Sequence, residues 1–159
     1  MQTERFNRFI QLIEGIHKNV TRIKHSYSPQ MGVKSVHLFW LYELLAHPEG
    51  LTSAALAAHS NVDRSLISRE IEELQKGGYV EVSTGGGEKR KNYNSRIRLT
   101  EQGVTLAKNI SSVALMVQCA ADVGVSEQEL VSFYNTLEKI NTNLCDFAKQ
   151  KTADTVDEG

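Results

Sequence analysis

Between Thr52 and Leu99 the hydrophobic period switches from helical to extended, with two glycines marking the switch, and few folds accommodate that. Thr52 or Ser53 can cap a short helical run carrying Ala54, Ala55, Leu56 and Ala57. Ser60–Asn61–Val62 then reads as a tight turn, because Asn tolerates the left-handed backbone such turns often need. Asp63 is placed to cap a longer helix from Arg64 to about Lys76, and Gly77–Gly78 end it by supplying a left-handed C-terminal residue. From Tyr79 the period is two. Tyr79 to Ser83 reads as a strand, and so does Tyr93 to Leu99, where Ile97 and Leu99 alternate with Arg96 and Arg98. The segment between them, TGGGEKRKN, is a glycine-rich cationic hairpin tip.

Long helices flank this centre. Phe6, Phe9, Ile10, Ile13, Ile16, His17, Val20 and Ile23 recur at gaps of three and four, a helical stripe expected to end before the Ser26–Gly32 stretch, where Ser28, Pro29 and Gly32 are loop formers. A second helix, Lys34 to His47, is apolar over a wide arc (Val36, Phe39, Trp40, Leu41, Leu44, Leu45) and so belongs in the interior. Pro48 and Gly50 end it. Thr100 can cap a helix from Glu101 to about Ala121. Ser126 and Glu129 form a capping box opening a last helix with Leu130, Phe133, Tyr134, Leu137, Ile140, Leu144 and Phe147 on one stripe. Residues 151–159 lose the apolar period and are expected to fray.

The 18 Lys and Arg nearly balance the 19 Asp and Glu, but not evenly along the chain. Residues 62–99 hold eight basic and six acidic side chains, and residues 122–159 hold three and eight. Lys89, Arg90, Lys91, Arg96 and Arg98 lie together with no acid among them, a cationic surface set against an acidic C-terminal region. The longest apolar stretch, Val113 to Val117 and Cys119 to Ala121, is broken by Gln118 and stopped by Asp122, so no membrane-spanning helix and no membrane partner are expected. MQTERFNRF lacks a long apolar core of the secretory kind, which makes the cytoplasm the default compartment.

Two short helices joined by a tight turn and followed by a cationic hairpin make a winged helix-turn-helix. The fold expected is therefore mainly α with a small β-hairpin wing. In the second short helix Ile67, Ile71 and Leu74 share the buried face, and Ser65, Ser68, Arg69 and Glu72 lie opposite. Small hydroxyls let a helix approach a DNA groove, and an Arg can fork onto guanine. A basic hairpin can reach phosphate or the adjacent minor groove. Glu70, Glu72 and Glu73 fit such a face only if they sit away from the phosphates. The unpartnered stripes of the first and last helices call for a second copy, since apolar burial is worth roughly 25 cal/mol per Å². A two-fold dimer sets its recognition helices about 34 Å apart and reads a pseudo-palindromic operator on double-stranded DNA.

The run LTSAALAAHSNVDRSLISREIEELQKGGYVE, followed by the hairpin and IRLTEQG, resembles the multiple antibiotic resistance regulator (MarR) family. The likeness is most specific from Val62–Asp63–Arg64–Ser65 to Gly78–Tyr79–Val80, and in Leu99–Thr100 followed by Gly103. It implies a homodimeric transcription regulator, a repressor released by a small molecule. Residues 1–32 would be a dimerisation helix and loop, 33–100 the DNA-binding lobe, 101–150 the C-terminal dimerisation helices and 151–159 a tail. It further implies DNA contacts from Arg64, Ser65, Ser68 and Arg69 and from wing residues Lys89, Arg90, Lys91 and Arg96. The family wing usually carries Asp-x-Arg shortly before its Leu-Thr pair. Here those places fall near Lys91–Asn92–Tyr93, without an Asp.

In the family small phenolic or lipophilic compounds bind between the dimerisation helices and the DNA-binding lobe. His17, His37, Trp40, Tyr42 and Met116 are the residues suited to line such a site. The five His show no zinc-type spacing, although His17 and His37 can meet in space, so no metal or other cofactor is expected. Cys119 and Cys145 fall at apolar or semi-apolar helical positions, where Cys is usually an inert small hydrophobe. They are too far apart along their helices for an intrachain bridge. A thiol-based redox regulator, and a winged helix that docks protein rather than DNA, are the alternatives. No catalytic motif supports an enzyme: the triple glycine lacks the Gly-Lys-Ser/Thr of a phosphate loop.

Overall fold

The computed structural model describes residues 2–60, 62–83 and 95–156. In chain order run α1 (Gln2–Met31), α2 (Ser35–Ala46), β1 (Leu51–Thr52), α3 (Ser53–Ser60), α4 (Arg64–Lys76), β2 (Val80–Ser83), β3 (Arg96–Leu99), α5 (Glu101–Ala121) and α6 (Glu127–Val156). Residues 1–115 form one compact unit and residues 116–159 another. The mainly helical class with a β2–β3 hairpin is the one expected, and the sheet gains a strand.

That extra strand is β1. The sheet is antiparallel in the order β1-β3-β2, with Leu51 opposite Ile97 and Thr52 opposite Arg96, then Val80 opposite Leu99 and Val82 opposite Ile97. Two residues are too few to show alternation, so no periodic signal announces it. Gly50 makes the approach feasible. Its φ is +84°, and a Cβ there would lie 2.7 Å from both the Ile97 carbonyl oxygen and Cγ of Arg98.

Several boundaries differ from expectation. The first helix runs through Pro29 to Met31. Proline in a last turn removes a single N–H, and the stop is made instead by Gly32, at φ +67°, with Val33 N donating to the Ser28 carbonyl at 3.3 Å. Asp63 occupies the N-cap of α4 with extended backbone, but its side chain makes no capping bond; its carbonyl accepts from Leu66 N and Ile67 N. Helix α6 continues to Val156, past the point where fraying was expected. Asn61 and the whole hairpin tip lie outside the described residues.

Other expected caps are present. Thr52 Oγ1 accepts from Ala55 N at 3.1 Å, and Ser126 and Glu129 exchange their two bonds, Ser126 N to Glu129 Oε2 at 2.9 Å and Glu129 N to Ser126 Oγ at 3.4 Å. Thr100 acts at a crossroads: Oγ1 accepts from Gly103 N at 3.0 Å and donates to the Gly78 carbonyl at 2.6 Å. The start of α5 is thereby pressed onto the turn after α4, so closely that a Cβ on Gly103 would collide with the Tyr79 carbonyl oxygen.

The core of the first unit draws Leu38, Trp40, Leu41 and Leu44 from α2, Leu56 from α3, and Ile67, Ile71 and Leu74 from α4. Leu51, Val80 and Ile97 close it from the sheet, and Ala107 and Ile110 from α5. By length and composition α5 could span a membrane, with a mean hydropathy of 1.3 in its best window, against the expectation from its broken apolar run. In its first half Gly103, Ala107 and Ile110 are buried against the rest of the first unit. Much of the α1 stripe stays exposed, including Phe6, Ile10, Ile13, Ile16 and Val20. In the second unit Phe133, Tyr134, Leu144 and Phe147 of α6 are likewise exposed.

Candidate nucleic-acid interface

Helix α4 has two faces set by its spacing. Ile67, Ile71 and Leu74 are buried, and Arg64, Ser65, Ser68, Arg69 and Glu72 are exposed. The outer face therefore presents two hydroxyls and two arginines over its first two turns. Ser68 Oγ donates to the Arg64 carbonyl at 3.2 Å, holding that hydroxyl against the helix. Arg69 is 73% exposed, and its Nε lies 3.4 Å from Oε1 of Glu70.

Glu70 is not on the outer face. It is only 6% exposed, and it completes the buried series Ile67, Glu70, Ile71, Leu74. Lys34 Nζ and His37 Nε2 each lie 3.0 Å from its Oε2, while Lys34 also bonds Glu73. One carboxylate thus ties α4 to the start of α2 and lies beside Arg69 on the other side. The bond from Lys34 holds the Glu70 carboxyl below its ordinary range, outweighing the opposite effect of burial, and His37 adds to it. Glu73 and Glu70 together raise the Lys34 ammonium. Burial lowers His37, although Glu70 works against that shift. His37 is then a neutral ring, and a carboxylate that only accepts places its proton on Nε2.

Nothing in the charge pattern assigns this role to Glu70. The signal that could do so is its spacing, three after Ile67 and four before Leu74, an apolar-face position that an acid occupies only when paired.

The base of the wing is stapled to the loop after α2. Arg96 Nη1 donates to the Gly50 carbonyl at 2.7 Å, and Arg98 Nε to the Glu49 carbonyl at 3.0 Å. Arg96 is exposed, but part of its fork is turned onto the protein. Lys89, Arg90 and Lys91 lie outside the described residues.

The residues suited to a ligand pocket do not converge. His17 is exposed on α1, Trp40 is in the core with its ring 5.8 Å from that of His37, and Tyr42 is 40% exposed. Met116 belongs to the second unit and is exposed. Only His37 of these five lines the cleft of about 330 Å³ bounded by Gly32, Val33, Glu73, Leu74, Lys76, Gly77 and Tyr79. His37 meets Glu70, not His17. Cys119 and Cys145 are exposed thiols, against the expectation of inert packing. Two groups among the described residues bring three metal-ligand atoms within 4.8 Å of one another: His37, Glu70 and Glu73, and Glu43, His47 and His59. In each, two members are close in sequence, Glu43 with His47 and Glu70 with Glu73, but the third comes from another helix, so the full set is not visible as a spacing.

Residues 31–91 match the MarR family. The fold is shared with many solved structures. A MarR family transcription regulator is 24% identical over 93% of this chain and 95% of its own, with a TM-score of 0.76. A MarR family transcriptional regulator of Listeria monocytogenes, solved in complex with a 26mer DNA, is 21% identical over 86% of this chain and 89% of its own, TM-score 0.77. The MepR–DNA complex of S. aureus is 19% identical over 84% of this chain and 94% of its own, TM-score 0.73. No curated protein matches the sequence.

Proposed function

We propose that this chain, a winged-helix transcription regulator of the MarR family, works as a homodimeric, sequence-specific repressor that a small lipophilic or phenolic ligand releases from its operator. The observation that carries the reading is α4: its inner face is fixed by three core residues and a buried carboxylate, and its outer face offers Ser65, Ser68 and Arg69. A rigid helix with short hydroxyls and one fork suits a major groove. Relatives of the same fold have been solved on DNA, which supports the same use here.

In this reading Arg69 reads a base and Arg64, Ser65 and Ser68 contact bases or phosphates. Lys89, Arg90, Lys91 and Arg96 supply the wing's contacts to the flanking backbone. Dimerisation uses residues 1–32 and 101–150, whose exposed apolar stripes would otherwise stay wet. The ligand's place is the cleft beside His37. It is of a size that takes a small molecule, and its wall includes Glu73, Leu74 and Lys76 from the end of α4. A ligand there could shift the recognition helix, because Glu73 also bonds Lys34.

Footprinting upstream of the protein's own gene, repeated with phenolic ligands, tests the proposal. Protection of a pseudo-palindrome that a ligand abolishes supports it. A protein-docking module without DNA binding would give no footprint and no salt-dependent retention on duplex DNA.

A further inference from the structure

We propose that Glu43, His47 and His59 form a binding site for a divalent transition-metal ion of the zinc class. Glu43 begins the last turn of α2, His47 is the C-cap residue that follows that helix, and His59, the penultimate residue of α3, faces them. One donor atom from each lies within 4.8 Å of the other two. Nδ1 of His59 is already 2.9 Å from Oε2 of Glu43, and the two imidazole rings are 5.8 Å apart between centroids.

The donor set decides the ion. Magnesium and calcium take oxygen shells, whereas two imidazoles with one carboxylate is a zinc set that leaves a fourth position open. Zinc holds its ligands at about 2.0–2.2 Å, so tetrahedral donors stand about 3.4 Å apart and the cluster must contract slightly. The side chains can do this, being 34% exposed at His47, 41% at His59 and 20% at Glu43. Their backbone is anchored close by, because Leu44 of α2 and Leu56 of α3 are both in the core. Glu49 lies 3.2 Å from Nδ1 of His47. A carboxylate on one nitrogen is the partner that commonly orients a metal-ligating imidazole, and the ion would take the other nitrogen.

The second cluster differs in kind. There the Lys34 ammonium already bonds both Glu70 and Glu73, so a cation occupies the place an ion would take. At Glu43, His47 and His59 the ion would pin the end of α3 to α2, directly before the turn into α4.

Titrating the full chain, stripped with a chelator, with Co²⁺ and then Zn²⁺ tests the site. Expected are visible ligand-field bands saturating at one Co²⁺ per chain and displaced by Zn²⁺. His47→Ala and His59→Ala should each weaken Zn²⁺ binding by at least about tenfold, the low end of what even an outer-sphere partner contributes. Glu73→Gln and the Cys119→Ser/Cys145→Ser double variant should bind as the parent does. His59→Gln, with far-UV circular dichroism on every variant, separates loss of a ligand from loss of fold. No bands, bands retained in both histidine variants, or thiolate charge transfer removed with the cysteines would each overturn the assignment. Because the readout is metal binding, its failure is distinct from a failure to bind DNA.

Discussion

At the residue scale, Glu70 joins the buried face of α4 to the side that carries Arg69. It sits among Ile67, Ile71 and Leu74, yet it is charged, and Lys34 and His37 make that possible. Its carboxyl is depressed in the fold, so it stabilises the native state above its ordinary value of 4.5 and loses that contribution as pH falls through the lowered value. His37 is shifted downward too, but it is a base. The unfolded chain takes up its proton first, so stability declines as pH drops below 6.5. Both signs agree, and Lys34, raised, stays charged throughout this range. Thermal melts should therefore fall in two stages on acidification, the first beginning below about pH 6.5 and the second below about pH 4.5. In His37→Gln the first stage should shrink; if it persists unchanged, another group causes it. Arg69→Ala should cost about 1–3 kcal/mol on the operator and relax base preference at one position, measured by fluorescence anisotropy on operator and mutated duplexes.

Elements are legible in the sequence where their signals are local. The glycines at 77 and 78, Thr100 and the Ser126–Glu129 box are readable because each acts on its own neighbours, and α4 because three isoleucine and leucine positions repeat at helical spacing. Strand β1 is not, since its only warrant is a partner, β3, more than forty residues away. The full length of α1 is hidden because Pro29 reads as a stop, when in a last turn it costs only one bond. The site is legible in its outer face and hidden in its support: Ser65, Ser68 and Arg69 stand out by spacing, while the link from Glu70 to Lys34 and His37 depends on how α2 meets α4. Gly103→Ala forces a Cβ into the Tyr79 carbonyl and should destabilise by about 1–3 kcal/mol in denaturant unfolding. A wild-type midpoint would mean α5 is free to move off the turn. Neutralising Lys89, Arg90 and Lys91 should weaken binding to every duplex and reduce the slope of log K against log salt, by up to about 0.9 for each phosphate no longer neutralised. An unchanged slope would remove the wing from the interface.

For the whole molecule, the near-balance of charge is the sum of unlike regions, basic around the helix-turn-helix and acidic at the C-terminal end. On the proposed function, a modest net charge would limit nonspecific attraction to DNA and leave discrimination to α4. The exposed stripes on α1 and α6, with Phe6 and Phe147 each 60% exposed, are what a lone chain should not display. A second copy would cover them. Replacing Leu144 and Phe147 by Glu should yield monomers in sedimentation equilibrium with intact far-UV circular dichroism and much weaker operator binding. A double variant that remains dimeric would place the interface elsewhere. Dimeric, sequence-specific recognition through α4 is tested most directly by titrating the protein onto its footprinted operator, with native mass spectrometry of the complex and footprinting of Arg69→Ala. Two chains per duplex are predicted, with two protected half-sites about 34 Å apart centre to centre and loss of protection in the variant. One chain per duplex, or protection that Arg69→Ala leaves untouched, would contradict it.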